Sequence, residues 1–243
     1  ELVVYGQSHC LAKGGCTTLG GDVLPGYPLQ AFRITNEGIP GSSNLSGQSI
    51  SQGTKPVFFL MANIHSREIT TPELAMRLIE YLLDGYGIDA DATWLVDYHE
   101  IWVVPMVNPD GHWLVELGQS GSYGGVPFYQ RKNANNDANT DNQSDCPVWP
   151  PASFEQYGID LNRNHSFGWG SEGASDQPCE MTYRGPAAAS EAEVIALEAL
   201  VRSLVPDQRG PADTDVAPAD TTGLLITLHS FSNLVLWRWG NSN

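Results

Sequence analysis

Short stretches of apolar residues with the length of β-strands recur along the chain. They lie at residues 29–34, 57–62, 101–106, 224–228 and 234–239. Their composition and the turn residues around them predict five strands. The stretches 57–62 and 224–228 are almost wholly apolar, which predicts central strands that are covered on both faces.

Two segments between these strands show the 3.6-residue period of amphipathic helices. In the first, Thr71 is the predicted N-cap and Pro72 the first helical residue. In the second, Ser190 and Glu193 form a predicted capping box. Strands that alternate with helices predict a three-layer α/β/α fold with a twisted, mixed and largely parallel central sheet. Because no shift in composition divides the chain, we expect residues 1–243 to form a single domain.

Charge and hydropathy exclude several classes of partner. The 243 residues include 12 Lys and Arg against 28 Asp and Glu. The resulting net charge of −16 opposes binding to nucleic acid and to anionic lipids and favours basic or neutral substrates. No apolar run reaches the roughly 18 to 20 residues that a membrane span needs. We therefore expect a globular protein that binds neither nucleic acid nor membranes.

Four cysteines bear on the cellular compartment. Cys10 and Cys16 lie close together, Cys146 and Cys179 lie much later, and none forms a Cys-x-x-Cys pair. The even count suits two disulfides in an oxidising compartment, with free buried thiols as the alternative. No signal peptide is visible at Glu1, which leaves a mature or trimmed secreted form or a cytosolic one. The cysteines favour a secreted, extracellular protein.

A histidine follows each of the two most apolar predicted strands. His65 comes shortly after residues 57–62, with Glu68 three residues later, and His229 comes directly after residues 224–228. Strand ends meet in the crevice of an open α/β sheet, so these side chains can converge there. Two imidazoles and a carboxylate suit a catalytic zinc site with one position open for water. A chance His-x-x-Glu pair and an ordinary structural histidine are the alternatives for each motif alone.

Arginines form a second group of candidate residues. Residues 158–164 read Gly-Ile-Asp-Leu-Asn-Arg-Asn, and Arg131 lies in the run Tyr-Gln-Arg-Lys-Asn. A guanidinium beside an amide, as in Arg163 beside Asn162, offers a planar fork that binds a carboxylate. Surface salt bridges are the alternative for any one of these arginines.

These motifs occur in the order and approximate spacing found in zinc carboxypeptidases. The shared runs are His-Ser-Arg-Glu at 65–68, Asn-Pro-Asp-Gly at 108–111, Arg-Lys at 131–132, Asp-Leu-Asn-Arg-Asn at 160–164, Thr-Tyr-Arg-Gly at 182–185 and His-Ser-Phe-Ser at 229–232. From about residue 27 to residue 240 the chain resembles carboxypeptidase A and, in two of these runs, still more the bacterial carboxypeptidase T. The resemblance implies a zinc carboxypeptidase fold and an exopeptidase that hydrolyses the C-terminal bond of peptides and proteins by attack of a zinc-bound water.

The resemblance also implies the roles of individual residues. One zinc ion would be bound by His65, Glu68 and His229, and Asp160 would accept a hydrogen bond from the ring N–H of His65. Arg131 would stabilise the oxyanion that forms when water attacks the scissile carbonyl. Substrate binding would fall to three residues, of which the last two hold the terminal carboxylate: Arg67, Asn162 and Arg163.

Two covalent features are implied in the same way. A disulfide would join Cys146 to Cys179, which leaves Cys10 and Cys16 to form a local clasp. The peptide bond between residues 230 and 231 would be cis.

The chain departs from the family pattern after His229. The family mechanism uses a downstream glutamate as general base and a tyrosine on a mobile loop, whereas residues 221–243 contain no acidic side chain. We therefore expect a core fragment, truncated at both ends, whose C-terminal part is absent or supplied as a separate fragment of the same protein. Alone, it should hydrolyse peptides poorly. Met181 stands where the family often has a glutamate.

Two rival functions and one further metal fit parts of the pattern. A catalytically silent, zinc-containing peptide-binding module would need no general base. An aspartoacylase-type deacylase is opposed by the Arg131, Asn162 and Arg163 set. Finally, residues 137–145 alternate oxygen-bearing side chains that could bind calcium, but they lack the Gly and Glu of an EF-hand loop, which favours a solvated loop.

Overall fold

A computed structural model describes residues 1–46, 49–137, 146–212, 214–230 and 234–236. The strands are β1 (Leu2–Gln7), β2 (Cys16–Thr17), β3 (Val23–Leu24), β4 (Pro28–Ile34), β5 (Asn44–Ser46), β6 (Ser49–Ser51), β7 (Val57–Met61), β8 (Glu100–Val104) and β9 (Leu224–Thr227). The helices are α1 (His9–Lys13), α2 (Thr70–Gly85), α3 (Ala90–Tyr98), α4 (Pro109–Leu117), α5 (Leu161–Asn164) and α6 (Ala192–Leu204), with a 3₁₀ turn at Gly121–Tyr123.

Five strands form the main sheet, in the order β1-β4-β8-β7-β9. β7 pairs in parallel with both β8 and β9, whereas β4 pairs antiparallel with both β1 and β8. The predicted mixed sheet is therefore confirmed, with parallel pairing confined to β8, β7 and β9. The carboxyl ends of these three strands lie at the same edge of the sheet.

Helices cover both faces of this sheet, because successive side chains of a strand point to opposite faces. Trp102 and Val104 of β8 pack in a core that includes the apolar stripe of α6. Ile101 and Val103 of the same strand pack in a second core, which includes apolar residues of α2 and α3. The predicted three layers are confirmed.

The predicted N-cap of α2 is wrong. The helix begins one residue before Thr71, with Ile69 as an N-cap that makes no side-chain cap bond. The Thr71 hydroxyl is buried in the preceding turn, where Oγ1 accepts from the backbone N–H of Asn63 at 3.0 Å and donates to the Glu68 carbonyl at 2.9 Å. The Thr71 hydroxyl therefore stabilises the turn before α2 instead of capping the helix.

The predicted capping box of α6 is also wrong. Glu191 is the N-cap and makes no side-chain cap bond. The Ser190 hydroxyl donates instead to the Glu191 carboxylate at 2.8 Å, and the Glu193 carboxylate accepts from the backbone N–H of His9 at 2.9 Å. The Ser190 hydroxyl also accepts from Nδ2 of Asn164 at 2.9 Å, so contacts with His9 and Asn164, both distant in sequence, replace the reciprocal bonds of a capping box.

β9 lies at the edge of the described sheet rather than at its centre. Leu224 and Leu225 are 54% and 44% exposed, so the prediction that both faces of this strand are covered is wrong. Residues 234–236 form no strand, and the rest of the predicted strand 234–239 lies outside the described residues. The expected cis bond at 230–231 and residues 138–145 of the proposed calcium segment also lie outside them.

Both expected disulfides are present. Cys10 is bonded to Cys16 and Cys146 to Cys179.

In the part of the chain that the structure describes, we find no helix with the length and hydropathy to cross a bilayer.

Candidate metal centre

A tight turn after β7 brings His65 and Glu68 to one side of the chain. Asn63 reverses the chain direction with a φ of 56°, in the left-handed region that asparagine tolerates. Its Nδ2 donates to the Ser66 carbonyl at 3.2 Å, which closes the turn. On the neighbouring parallel strand, the N–H of Leu228 donates to the carbonyl of Met61 at 2.8 Å, so that His229 follows at the same edge.

Three potential ligand atoms converge at this edge. His65 Nδ1 lies 2.9 Å from Glu68 Oε1 and 3.1 Å from His229 Nδ1, and His229 Nδ1 lies 3.1 Å from Glu68 Oε2. One potential ligand atom from each of the three residues lies within 4.8 Å of the other two. His65 and Glu68 are buried, while a third of the His229 side chain is exposed. The site is therefore enclosed on one side and open on the other.

Asp160 lies behind the cluster and contacts two of the predicted site residues. It is fully buried at the N-cap of α5, and its Oδ2 accepts from Nε and Nη2 of Arg131 at 3.0 and 2.8 Å. Its Oδ1 lies 3.5 Å from Nε2 of His65, at ion-pair rather than hydrogen-bond distance. Despite the cost of burial, His65 and Arg131 hold the pKa of Asp160 well below its usual value.

The donor set fits a divalent metal such as zinc. His65 Nδ1 lies 2.9 Å from the Glu68 carboxylate, and the tautomer with its N–H on Nε2, towards Asp160, would offer the lone pair of Nδ1 to a metal ion. Burial raises the pKa of Glu68, but hydrogen bonds with His229 and His65 outweigh burial and bring it down to about 2. An anionic oxygen and two imidazole nitrogens are ligands that zinc accepts, and three ligands leave a fourth position open.

The predicted oxyanion residue lies at the cluster, whereas the predicted carboxylate-binding pair does not touch it. Nη1 of Arg131 lies 3.3 Å from Nδ1 of His65. Asn162 and Arg163 lie on α5, two and three residues after its N-cap Asp160. The Arg163 guanidinium donates to the backbone carbonyls of Gly173 and Asn162 at 2.9 and 3.0 Å. Within the described residues, neither side chain hydrogen-bonds to the three ligand residues.

Comparison with known proteins identifies the family. A family model described as zinc carboxypeptidase matches residues 18–243. The chain belongs to the zinc carboxypeptidase family. Membership was predicted from the motifs and is confirmed, while the closer likeness to carboxypeptidase T stays a prediction.

Two metallocarboxypeptidases are about 30% identical to the chain over the residues that align. Metallocarboxypeptidase A of Trichophyton tonsurans is 31% identical over 163 residues, which are 63% of this chain and 33% of that protein. Mouse carboxypeptidase A2 is 29% identical over 193 residues, which are 77% of this chain and 36% of that protein. The chain thus spans about a third of the length of the curated relatives it matches.

A solved structure supports the fold. Carboxypeptidase A from Helicoverpa armigera superposes with a TM-score of 0.60 at 21% identity, over 96% of this chain and 41% of that one. The predicted α/β fold of zinc carboxypeptidases is thereby confirmed.

Sequence reasoning missed a buried polar network beneath Arg131. Lys132 is fully buried, and its ammonium group donates to the carbonyls of Gln156, Pro178 and Glu180 at 2.6, 2.6 and 3.0 Å. Burial lowers the pKa of Lys132 to about 7. The signal was the unbroken polar run at residues 130–133, from which we singled out Arg131 alone.

The network also fixes the backbone of Arg131. Its N–H donates to Oε1 of Gln156 at 2.8 Å, and its carbonyl accepts from the N–H of Ser66 at 3.2 Å. The Ser66 hydroxyl donates in addition to the carbonyl of Gln130 at 2.8 Å. Ser66 lies between His65 and Glu68, so these hydrogen bonds connect the turn after β7 to the segment that carries Arg131.

Proposed function

We propose that this chain is the catalytic part of a secreted zinc metallocarboxypeptidase that removes single residues from the C-termini of peptides and proteins. The observation that carries the proposal is the convergence of one atom each from His65, Glu68 and His229 within 4.8 Å at the ends of two parallel strands. Bound there, zinc would polarise the scissile carbonyl and lower the pKa of a water molecule towards 7. Residues 1–243 would act as one domain.

Arg131 would stabilise the negative charge that develops on the carbonyl oxygen. Asp160 binds its Nε and Nη2, which leaves Nη1 directed at the ligand cluster. The guanidinium is therefore oriented before substrate arrives, and a preoriented donor of this kind contributes about 3 to 4 kcal/mol to transition-state stabilisation. Asp160 in addition fixes the ring orientation of His65, as partners of metal-binding histidines do.

Asn162 and Arg163 would bind the free terminal carboxylate of the substrate. They lie on α5, whose N-cap residue Asp160 orients Arg131, so the group that would bind the terminal carboxylate is linked to the group that would stabilise the scissile carbonyl. A requirement for this carboxylate makes the activity that of an exopeptidase. Arg67 would line the adjoining part of the substrate cleft.

A zinc-containing module that binds peptide C-termini without cleaving them is the rival function for the same three-ligand centre.

Zinc binding tests the metal site. After chelation and dialysis, isothermal titration with zinc chloride should give one ion per chain. Glu68→Gln and His229→Gln should each weaken binding at least about 100-fold, which exceeds the loss that is typical when the hydrogen-bond partner of a metal-binding histidine is removed. His112→Gln, on α4, is the matched control and should bind zinc like the wild type. A stoichiometry far from one, or equal losses in all three variants, would refute the site.

Hydrolysis of a blocked dipeptide and of its C-terminal amide tests the reaction. We expect slow, zinc-dependent cleavage of the free acid alone. Binding of the acid without cleavage would support the peptide-binding module, and cleavage of both compounds alike would rule out an exopeptidase. Turnover near that of a complete carboxypeptidase would contradict the expected impairment.

A further inference from the structure

Arg67 is a half-buried cation beside the metal centre with uncharged partners only. Its guanidinium carbon lies 4.5 Å from the centre of the Tyr129 ring, and its Nη1 donates to Sδ of Met181 at 3.3 Å. A thioether is a weak acceptor and an aromatic face gives a modest cation–π interaction. Neither contact compensates fully for the water that the guanidinium has lost.

Most of the other arginines that the structure describes are neutralised by carboxylates. Arg33, Arg77, Arg131, Arg202 and Arg209 each form an ion pair with Asp or Glu. Among the described residues, no carboxylate oxygen lies within 4.0 Å of the guanidinium of Arg67, Arg163 or Arg184. Arg163 donates to two backbone carbonyls and Arg184 lies over the Trp169 ring. Of these three arginines, Arg67 is the one that adjoins a ligand residue of the metal centre, Glu68.

The nearest acidic groups are already engaged. Glu68 contacts the two histidines of the centre, and Asp160 holds Arg131. Arg131 is close enough to Arg67 to repel it. Of these two guanidinium groups, Arg131 already has a carboxylate partner, and Arg67 has none among the described residues.

We propose that Arg67 binds the side-chain carboxylate of an acidic residue that precedes the C-terminal residue of the substrate. The inference rests on the proposed carboxypeptidase function, in which Arg163 binds the terminal carboxylate and Arg131 the scissile carbonyl. Arg67 then has no other assigned group, and it is available to bind the residue that precedes the scissile peptide bond. Tyr129, which is 50% exposed, and Met181 offer apolar surface for the methylene groups of a glutamate. The preference for neutral or basic substrates that net charge suggests would thus be reversed at this position.

Two peptides that differ by one charge test the proposal on the zinc-loaded 243-residue chain. Acetyl-Ala-Glu-Leu and acetyl-Ala-Gln-Leu have nearly the same shape. Titration calorimetry should show the Glu peptide bound about tenfold more tightly, which corresponds to 1.4 kcal/mol. The ratio should fall as ionic strength rises, since exposed charge pairs are screened by salt. Where turnover is measurable, kcat/KM should show the same preference.

Variants separate a charge effect from a general defect. Arg67→Gln should bind both peptides equally, and Arg67→Lys should keep part of the preference. Arg77→Gln, which loses an exposed partner of Glu73 on α2, should behave like the wild type. Unchanged zinc affinity in the Arg67 variants would confirm that the centre is intact.

The two proposals fail in different ways. Equal binding of both peptides by the wild type would overturn the role of Arg67 and leave the carboxypeptidase proposal standing. Failure to bind either peptide would overturn both. A preference for the Glu peptide that survives in Arg67→Gln would assign the selection to another residue and also refute the inference.

Discussion

Replacing Asp160 by asparagine tests the link between Arg131 and the metal centre. The side chain is fully buried, and both of its contacts to Arg131 fall on Oδ2, at 2.8 and 3.0 Å. The asparagine amide has the same shape but no charge, so the guanidinium, whose side chain is only 12% exposed, would lose its counterion. Loss of one partner of a buried ion pair costs about 3 to 5 kcal/mol because the remaining charge is not compensated.

The Asp160→Asn substitution should change two measurable quantities, the Tm of the metal-free protein and its affinity for zinc. For a chain of this length, 1 kcal/mol corresponds to about 2 to 4 °C in Tm, so the metal-free variant should melt roughly 6 to 20 °C lower. Zinc affinity should fall about 10- to 100-fold, as is usual when the partner of a metal-binding histidine is removed. Thermal melting of the chelated protein measures the first effect, and calorimetric titration with zinc measures the second.

Two further variants sharpen this test. Glu73→Gln breaks an exposed pair with Arg77, and its effect on unfolding should stay below about 0.5 kcal/mol. Arg131→Met should weaken the effect of Asp160→Asn, because the charge that asparagine leaves unpaired is then gone. If Asp160→Asn unfolds within 1 kcal/mol of the wild type and binds zinc equally well, the ion pair does not support the centre.

Three further predictions concern stability. Burial, and next the charge of Glu191, raise the pKa of Glu193 from 4.5 to about 8. Because the folded state then binds the extra proton, stability should fall between pH 4.5 and pH 8 by at most about 1.4 kcal/mol per pH unit, and urea midpoints of Glu193→Gln should lack this slope. Replacing the cystine that closes 33 residues, Cys146–Cys179, by alanines should cost about 3 to 4 kcal/mol, against about 2 kcal/mol for Cys10–Cys16, which closes 6. Zinc at 100 times its Kd should stabilise the chain by about 2.7 kcal/mol in thermal melts, and a chelator should reverse this.

Strand positions and the candidate ligands were predictable from the sequence because both depend on simple rules. An apolar run as short as 57–62, rich in aromatic and branched residues, favours a buried strand over a helix, and β7 occupies residues 57–61. Ends of parallel strands meet at one edge, which is how His65 and His229 come together from positions 164 residues apart. The pairing of the cysteines came from the family resemblance, since four cysteines alone permit three pairings.

Helix caps and ion pairs were not predictable, because they depend on groups brought in by the fold. Thr71 looked like a cap but is bound by Asn63, which precedes it by eight residues and reverses the chain after β7. The burial of Lys132 depends on three carbonyls that lie at least 24 residues further along the chain. The exposure of Leu224 and Leu225 likewise depends on which neighbours β9 has, and this is not encoded in the apolar run itself.

Arg131 and Arg67 lie beside the candidate centre in a chain of strongly negative net charge, and their roles would follow from the chemistry that the site would perform. A terminal carboxylate and a developing oxyanion are both anions, so a chain with a net charge of −16 would repel its own substrate unless local cations outweighed the distant acidic groups. Salt screens exposed charges over about 8 to 10 Å, so acidic side chains farther away than this have little effect on an anion at the centre. Arg131 and Arg67 act within that distance of the centre, and their different partners separate their roles. Arg131, which Asp160 holds in place, is suited to the scissile carbonyl, a group that every peptide substrate has. Arg67, which contacts Met181 rather than a carboxylate, is suited to a side chain that differs from one substrate to the next.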